Sequence, residues 1–518
     1  MRRMRRAQGT AAVAVLTVAA AALGPAVSAN ALASANTVTI KVVGISRTGE
    51  TVSVASSVAP PHGNAIPGNG STYRLKPGTY FISGDVPTPT SNQNVVDQTL
   101  VVRLLDVRKS GTVKLDSRGG KLVSVWLNGK ELSQDVGGVL QASACVTNGS
   151  GGINADLNGP IYVKPTRVSG LSFVWAWTSG QPTGTHYDLT GQTKNSLPAH
   201  PVFRLRTSQL VKTVIQMKAG TVAGTSGRLS TGSTIDTDCS MGGLQQPVTV
   251  PSSITVYRSP AIWTTELDTF FGTRQCSLDL VGTKEILGHG RYTVPIGSAA
   301  RGPYAAVPTV LSNKLSYDTQ NQFVGPAPVY ESVDYCFKST VTLASGGHTI
   351  ARGPGGMFHV FTAKVHPGRW YVLTTRSWQT PVGRNPTGLL SPRTTLAWRF
   401  KFAKNDFGAV PVAVTSLVPR GLNLTNQAAP GSTTSVRAFF TQDKYFLPPP
   451  AVPLRSFTVQ ASFNDGKTWH RVTVVKHKGF WTFVVHNPSA GFVTLRTTTV
   501  NTHGNSSVET IYRAYGIR

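Results

Sequence analysis

Acidic residues are scarce in this chain: 22 Asp and Glu stand against 50 Lys and Arg in 518 residues, a formal net charge of +28. Charge of either sign is thin as well, at 14% of residues, which leaves few groups for paired-carboxylate chemistry. There are only four cysteines and no Cys-x-x-Cys spacing, so no metal site is expected from them. HExxH and G-x-S-x-G are both missing, which removes zincin-type proteolysis and the α/β-hydrolase elbow. Past Leu23 no apolar run is long enough to cross a bilayer, so no transmembrane segment is expected. Helical heptads are lacking too.

What is present is strand after strand. Thr37 to Val43 alternates apolar and polar residues, as do Phe457, Val459, Ala461 and Phe463 with Thr458, Gln460 and Ser462. That period of two marks half-buried strands. The second run turns at Asn464-Asp465-Gly466, where Asp-Gly is a strong hairpin signal. Gly, Pro, Thr, Ser and Val dominate the composition, and the chain is too long for one core. The expected class is all-β, built of tandem immunoglobulin- or fibronectin-like β-sandwich domains after an N-terminal signal peptide.

Arg2, Arg3, Arg5 and Arg6 precede an alanine-rich stretch, Thr10 to Leu23, of signal-peptide length. Small-residue cleavage sites follow at Val27 to Ala29, Ala31 to Ala33 and Ala33 to Ala35, and no Cys stands just after them. The expectation is ordinary secretion, with a mature product that is extracellular or cell-wall associated. Removing residues 1–35 takes away four arginines and no acid, leaving 46 basic against 22 acidic residues, a net of +24.

The domain reading is a signal peptide at 1–35, an N-terminal sandwich at 36–132, a central β-rich region at 133–405 that has room for two sandwiches, and a C-terminal sandwich at 406–518. Leu75-Lys76-Pro77-Gly78-Thr79-Tyr80-Phe81-Ile82 resembles the Pro-Gly-Tyr strand of carboxypeptidase-regulatory-like sandwiches, which implies that Tyr80 enters a core. Gly149 to Gly152, Gly346, Gly347 and Gly353 to Gly356 read as loops, and Pro448-Pro449-Pro450 as a stiff loop. The four cysteines, Cys145, Cys239, Cys276 and Cys336, are an even number in an exported chain and read as two disulfides with three pairings open. If neighbours pair, each bridge closes a long loop and contributes about 4 to 5 kcal/mol in the entropy model.

Several stretches together carry a family resemblance. They are Ser462 to Val472 and Gly479 to Gly516, with Leu197 to Leu210, Gly288 to Tyr304, Leu390 to Phe402 and Thr112 to Val125. They look like the non-catalytic C-terminal region of large secreted subtilisin-like proteases of the actinobacterial type. The resemblance implies an accessory region standing alone, and a separate secreted protease as partner for a chaperone, inhibitor or docking arm.

The protease triad itself is not expected. Gly184-Thr185-His186 and Gly224-Thr225-Ser226 mimic the histidine and serine settings, but their following residues and their short separation do not suit the peptidase fold, so both read as loops. Carboxylates for glycoside hydrolysis would come from Asp85, Asp97, Asp106, Glu266, Asp268, Asp279, Glu285, Glu331 or Asp334, with Glu266 and Asp268 beside Trp263 the most suggestive. They read better as solvated turn acids beside a core tryptophan. Ser462 to Trp469 fits the Asp-box pattern once, which does not make a propeller, and Trp469 reads as core.

No enzyme activity and no cofactor are therefore expected. A net charge of this sign attracts polyanions, such as wall teichoic acids, acidic polysaccharides, anionic lipid surfaces or shed nucleic acid, the alternative being that it only sets solubility and pI. Specific nucleic-acid binding would call for aromatic platforms among the basic residues, and Arg369-Trp370-Tyr371 is the one such cluster. The functional expectation is a secreted non-catalytic binding or adhesion module for a cell-wall polyanion or glycan.

Overall fold

The computed structural model describes residues 37–518 other than 92–94, 133–137, 147–151, 156–158, 180–184, 219–224, 237–238, 271–281, 286–289, 304–306, 321, 324, 326–336, 357–358, 380–389, 404–407 and 442–452. The expected signal peptide, Cys276, Cys336 and Pro448 to Pro450 lie outside the described residues. Within them the protein is all-β, in eight sheets with a single short 3-10 turn at Thr207–Gln209. Among the described residues no helix is long and apolar enough to cross a membrane.

The N-terminal half stacks its sheets. Gly78–Pro89 and Val96–Val107 pair antiparallel over twelve positions at the centre of a five-stranded sheet. Both faces of this pair are covered. Ile82 and Val101 enter a core with Val38, Ile40, Val42, Tyr73 and Leu115, while Phe81, Leu100 and Val102 enter another with Phe173, Trp175, Trp177 and Leu189. Burial on both sides explains the nearly unbroken apolar run Leu100-Val101-Val102. Tyr80 is buried, and its hydroxyl donates to the Lys76 carbonyl at 2.8 Å. The strand Thr166–Ser179 repeats this logic in a seven-stranded sheet, since Phe173, Trp175 and Trp177 face one way and Val174 and Ala176 the other, beside Cys145 and Met241.

The C-terminal half is organised around one nine-stranded sheet whose edge strands are His348–Gly355 and His470–Val472, with Ser506–Ile517 in its interior. One face is covered by two smaller sheets side by side. Leu343, Leu373, Leu396 and Trp398 pack on the sheet of Thr309–Leu311, Lys314–Asp318 and Val360–Lys364. Phe457, Val459, Leu495 and Ile511 pack on the sheet of Val414–Pro419, Thr433–Thr441 and Trp481–His486. Among the described residues no sheet covers the opposite face, which points outward.

Hydrogen-bonded sheets cross both expected internal boundaries. Ile161–Val163 joins Val96–Val107 in parallel across 132/133, and Arg393–Phe400 joins Ser506–Ile517 antiparallel across 405/406. Both pairings link strands distant in sequence, and nothing in the local pattern of either strand announces its partner. Gly353 and Gly355 also depart from expectation. They lie in the strand His348–Gly355, paired with Ser339–Val341, and glycine is required at 355 because a side chain there would press on Ser339 and Thr319. Gly346 and Gly347 do form the preceding turn, with φ of +58° and +83°.

Candidate functional site

The outward face of the nine-stranded sheet follows from alternation within its strands. In Tyr371–Gln379 the buried residues are Tyr371, Leu373, Thr375, Ser377 and Gln379, so Val372, Thr374, Arg376 and Trp378 point away from the core. Arg393–Phe400 buries Thr394, Leu396, Trp398 and Phe400 and presents Arg393, Thr395, Ala397 and Arg399. Register then aligns these residues from strand to strand. Thr340 lies opposite Arg376, Arg376 opposite Thr395, Thr395 opposite Thr510, Thr510 opposite Arg496, Arg496 opposite Gln460 and Gln460 opposite Arg471. One row of threonine, arginine and glutamine thus crosses seven strands. Arg496 Nε donates to Thr510 Oγ1 within it, at 3.3 Å.

Three arginines of this face lie flat on rings. The guanidinium of Arg399 sits 3.7 Å from the Trp370 ring centre, that of Arg393 3.7 Å from Tyr512, and that of Arg496 3.8 Å from Trp469. Stacking of this kind holds the planar fork in place and leaves its edge donors available. Toward the Phe337–Ser345 end, Thr340, Thr342, Thr349, Arg352, Thr374 and Arg376 line a shallow trough of about 520 Å³.

Acids are nearly excluded from this part of the chain. From Phe337 to Arg518 the sequence has 21 Lys and Arg and four acids, Asp406, Asp443, Asp465 and Glu509. Asp406 and Asp443 lie outside the described residues. Asp465 is engaged by Arg513, whose Nη2 is 2.8 Å from Oδ2. Glu509 faces the covered side, where Thr415 N–H donates to its Oε2 at 3.1 Å and burial pushes its carboxyl up to about 8. Among the described residues the outward face therefore presents cations and hydroxyls together with exposed Val372, Trp378 and Val508, and the exposed carboxylate at its edge, Asp465, is engaged by Arg513.

Of the other candidates, Asp279, Glu331 and Asp334 lie outside the described residues, and several of the rest resolve into structure. Glu266 is exposed on Ile262–Phe270, on the opposite face from buried Trp263, Thr265 and Leu267, so it does not stand beside the tryptophan as the sequence suggested. Asp97 pairs with Arg47, and Asp106 with Arg108 at 2.9 Å. His186 and Ser226 do not lie in loops: they belong to the strands His186–Leu197 and Thr225–Asp236, each drawn into a sheet by its pairing. Near them Asp188 and Arg258 form a buried pair at 3.0 Å, with Arg258 Nη2 donating to Thr265 Oγ1. A second hollow of about 500 Å³, bounded by Lys401, His503 and Asn505, is braced by the backbone, since Lys401 N–H donates to Asn505 Oδ1.

Cys145 is disulfide-bonded, and no described cysteine is free. Cys239 opens the strand Cys239–Val250. Trp469 is half-buried beneath Arg496 and not in a core, because the Asp465-Gly466 turn, with φ of 55° and 85°, carries it to the outward face. Within that turn Thr468 N–H donates to Asn464 Oδ1 and Gly466 N–H to Ser462 Oγ, both at 2.9 Å. Sequence reading missed the arginine row. The strand phases of Arg376, Arg399 and Arg496 were legible, but their lateral alignment depends on register.

No protein-family model and no curated protein matches the chain. Among solved structures it is similar to the FN1–FN3 domains of chicken CNTN1, at 9% identity over 60% of this chain and 96% of that one, with a TM-score of 0.14. It is similar to Escherichia coli alpha-2-macroglobulin activated by porcine elastase at 9% identity, over 90% of this chain and 50% of that one, with a TM-score of 0.14. The Streptococcal ancillary pilin matches at 10% identity over 55% of this chain and 96% of that one, with a TM-score of 0.13. Superpositions of this quality add nothing to the fold described above.

Proposed function

We propose that the protein is a secreted, non-catalytic binding or adhesion protein that attaches to polyanions at a cell surface. The observation that carries this reading is the outward face of the nine-stranded sheet, where seven cations, Lys338, Arg352, Arg376, Arg393, Arg399, Arg471 and Arg496, occur and the exposed acid at its edge, Asp465, is engaged by Arg513. The mature net charge of +24 supports it, since a field of one sign draws an oppositely charged polymer from a distance.

Sedimentation with isolated cell walls tests the reading. Walls retaining teichoic acid should carry the protein into the pellet at low salt, and rising salt should release it as screening lengthens the odds against contact. Equal recovery in the supernatant with and without walls at low salt would reduce the charge to a contribution to solubility.

A further inference from the structure

Resting on that reading, we propose that the ligand is a linear phosphodiester polymer, and that it lies across the strands of the nine-stranded sheet along the row Arg376, Arg496 and Arg471. Spacing gives the row its reach. Arg376 and Arg496 are three strands apart in register and Arg496 and Arg471 two, which at about 4.8 Å per strand is ~14 Å and ~10 Å. Between the cations stand the Thr395 hydroxyl and the Gln460 amide, while Thr510, only 2% exposed, accepts from Arg496 Nε and holds that arginine in the row. The row is therefore rich in hydrogen-bond donors.

Donor supply selects among polyanions. A phosphodiester offers acceptor oxygens, which arginine forks and threonine hydroxyls can satisfy together. A glycan or polyuronate carries many hydroxyl donors, and these call for carboxylate or amide acceptors. Among the described residues of this row the only such acceptor is the Gln460 amide. Polynucleotides share the phosphodiester but gain much of their affinity from base stacking on open rings. Here Trp370, Tyr512 and Trp469 already lie under Arg399, Arg393 and Arg496, which leaves Trp378, 37% exposed, as the open ring beside Arg376 on the described part of this face. The geometry thus favours a phosphodiester backbone without bases, of the polyol phosphate kind.

The test is calorimetric titration of the full mature chain with poly(glycerol phosphate), polygalacturonate and a single-stranded thymidine polymer. Three proteins are compared: wild type, the face variant R376Q/R471Q/R496Q, and a control, K364Q/R420Q/K476Q, which removes the same charge from exposed positions off this face. Matched thermal transitions establish that both variants fold. The expected result is a loss of about tenfold or more in poly(glycerol phosphate) affinity for the face variant, with a salt slope shallower by about 2. The control should stay within about twofold of wild type.

Equal losses in both variants would overturn the site while leaving polyanion attachment standing. Equal or tighter binding of polygalacturonate or the thymidine polymer by wild type would overturn the ligand class. Failure of wild type to bind any of the three would overturn the attachment reading as well.

Discussion

Glu509 is a buried acid whose desolvation is opposed only by a backbone hydrogen bond, and its setting makes it a pH-dependent element of stability. Its Oε1 is buried without a hydrogen-bond partner, and a side chain built on Gly302 would come within 2.8 Å of that atom. Desolvation raises the carboxyl from 4.5 to about 8, opposed by the hydrogen bond from Thr415 N–H. Because the folded value lies above the unfolded one, the folded chain keeps a proton that the unfolded chain releases. The stabilising contribution is full below pH 4.5 and falls as pH rises through about 8, at about 1.4 kcal/mol per pH unit. Glu509→Gln keeps the acceptor for Thr415 and removes the titration. Thermal unfolding across that window should show the wild type losing stability relative to this variant; parallel curves would refute the assignment.

At the scale of elements, the pairing of Cys145 is set by its neighbours. Cys145 packs with Val174, Ala176 and Met241, and Met241 lies two positions along the same strand from Cys239. Peptide mapping without reduction should therefore recover Cys145 linked to Cys239, and a link from Cys145 to Cys276 or Cys336 would contradict this. The even cysteine count in the sequence suggested two bridges but could not choose partners, since the choice depends on which strands face each other across two sheets. Strands themselves were largely legible, because Phe457, Val459 and Ala461 show their phase directly. Trp469 was not: its indole is large and apolar enough to suggest a core, yet it is Arg496 that covers it. The arginine row was hidden for the same reason. Each arginine's face can be read from its own strand, while its neighbours come from strands up to about a hundred residues away.

For the whole molecule, the shared sheet decides what can fold alone. The strand Arg393–Phe400 lends its apolar face to one core and its edge to Ser506–Ile517, which serves the other. A fragment of residues 406–518 would expose that edge and should aggregate or melt well below the parent. A fragment of residues 297–518 retains both cores, the Ala299 and Ala300 packing, and the Asn426 Nδ2 hydrogen bond to the Gly297 carbonyl. It should unfold in one cooperative transition by circular dichroism. Two separate transitions would show that the cores are independent despite their common sheet.

The place of Ser506–Ile517 has a mechanical meaning as well. Arg393–Phe400 flanks it on one side and Gly491–Asn501 on the other, and Gln427–Ala428 adds a short parallel bridge at its end. A pull along this strand loads both long ladders in shear, so their hydrogen bonds must yield together instead of parting one by one. A protein held to a surface through the outward face of this sheet would meet drag with its most force-resistant element.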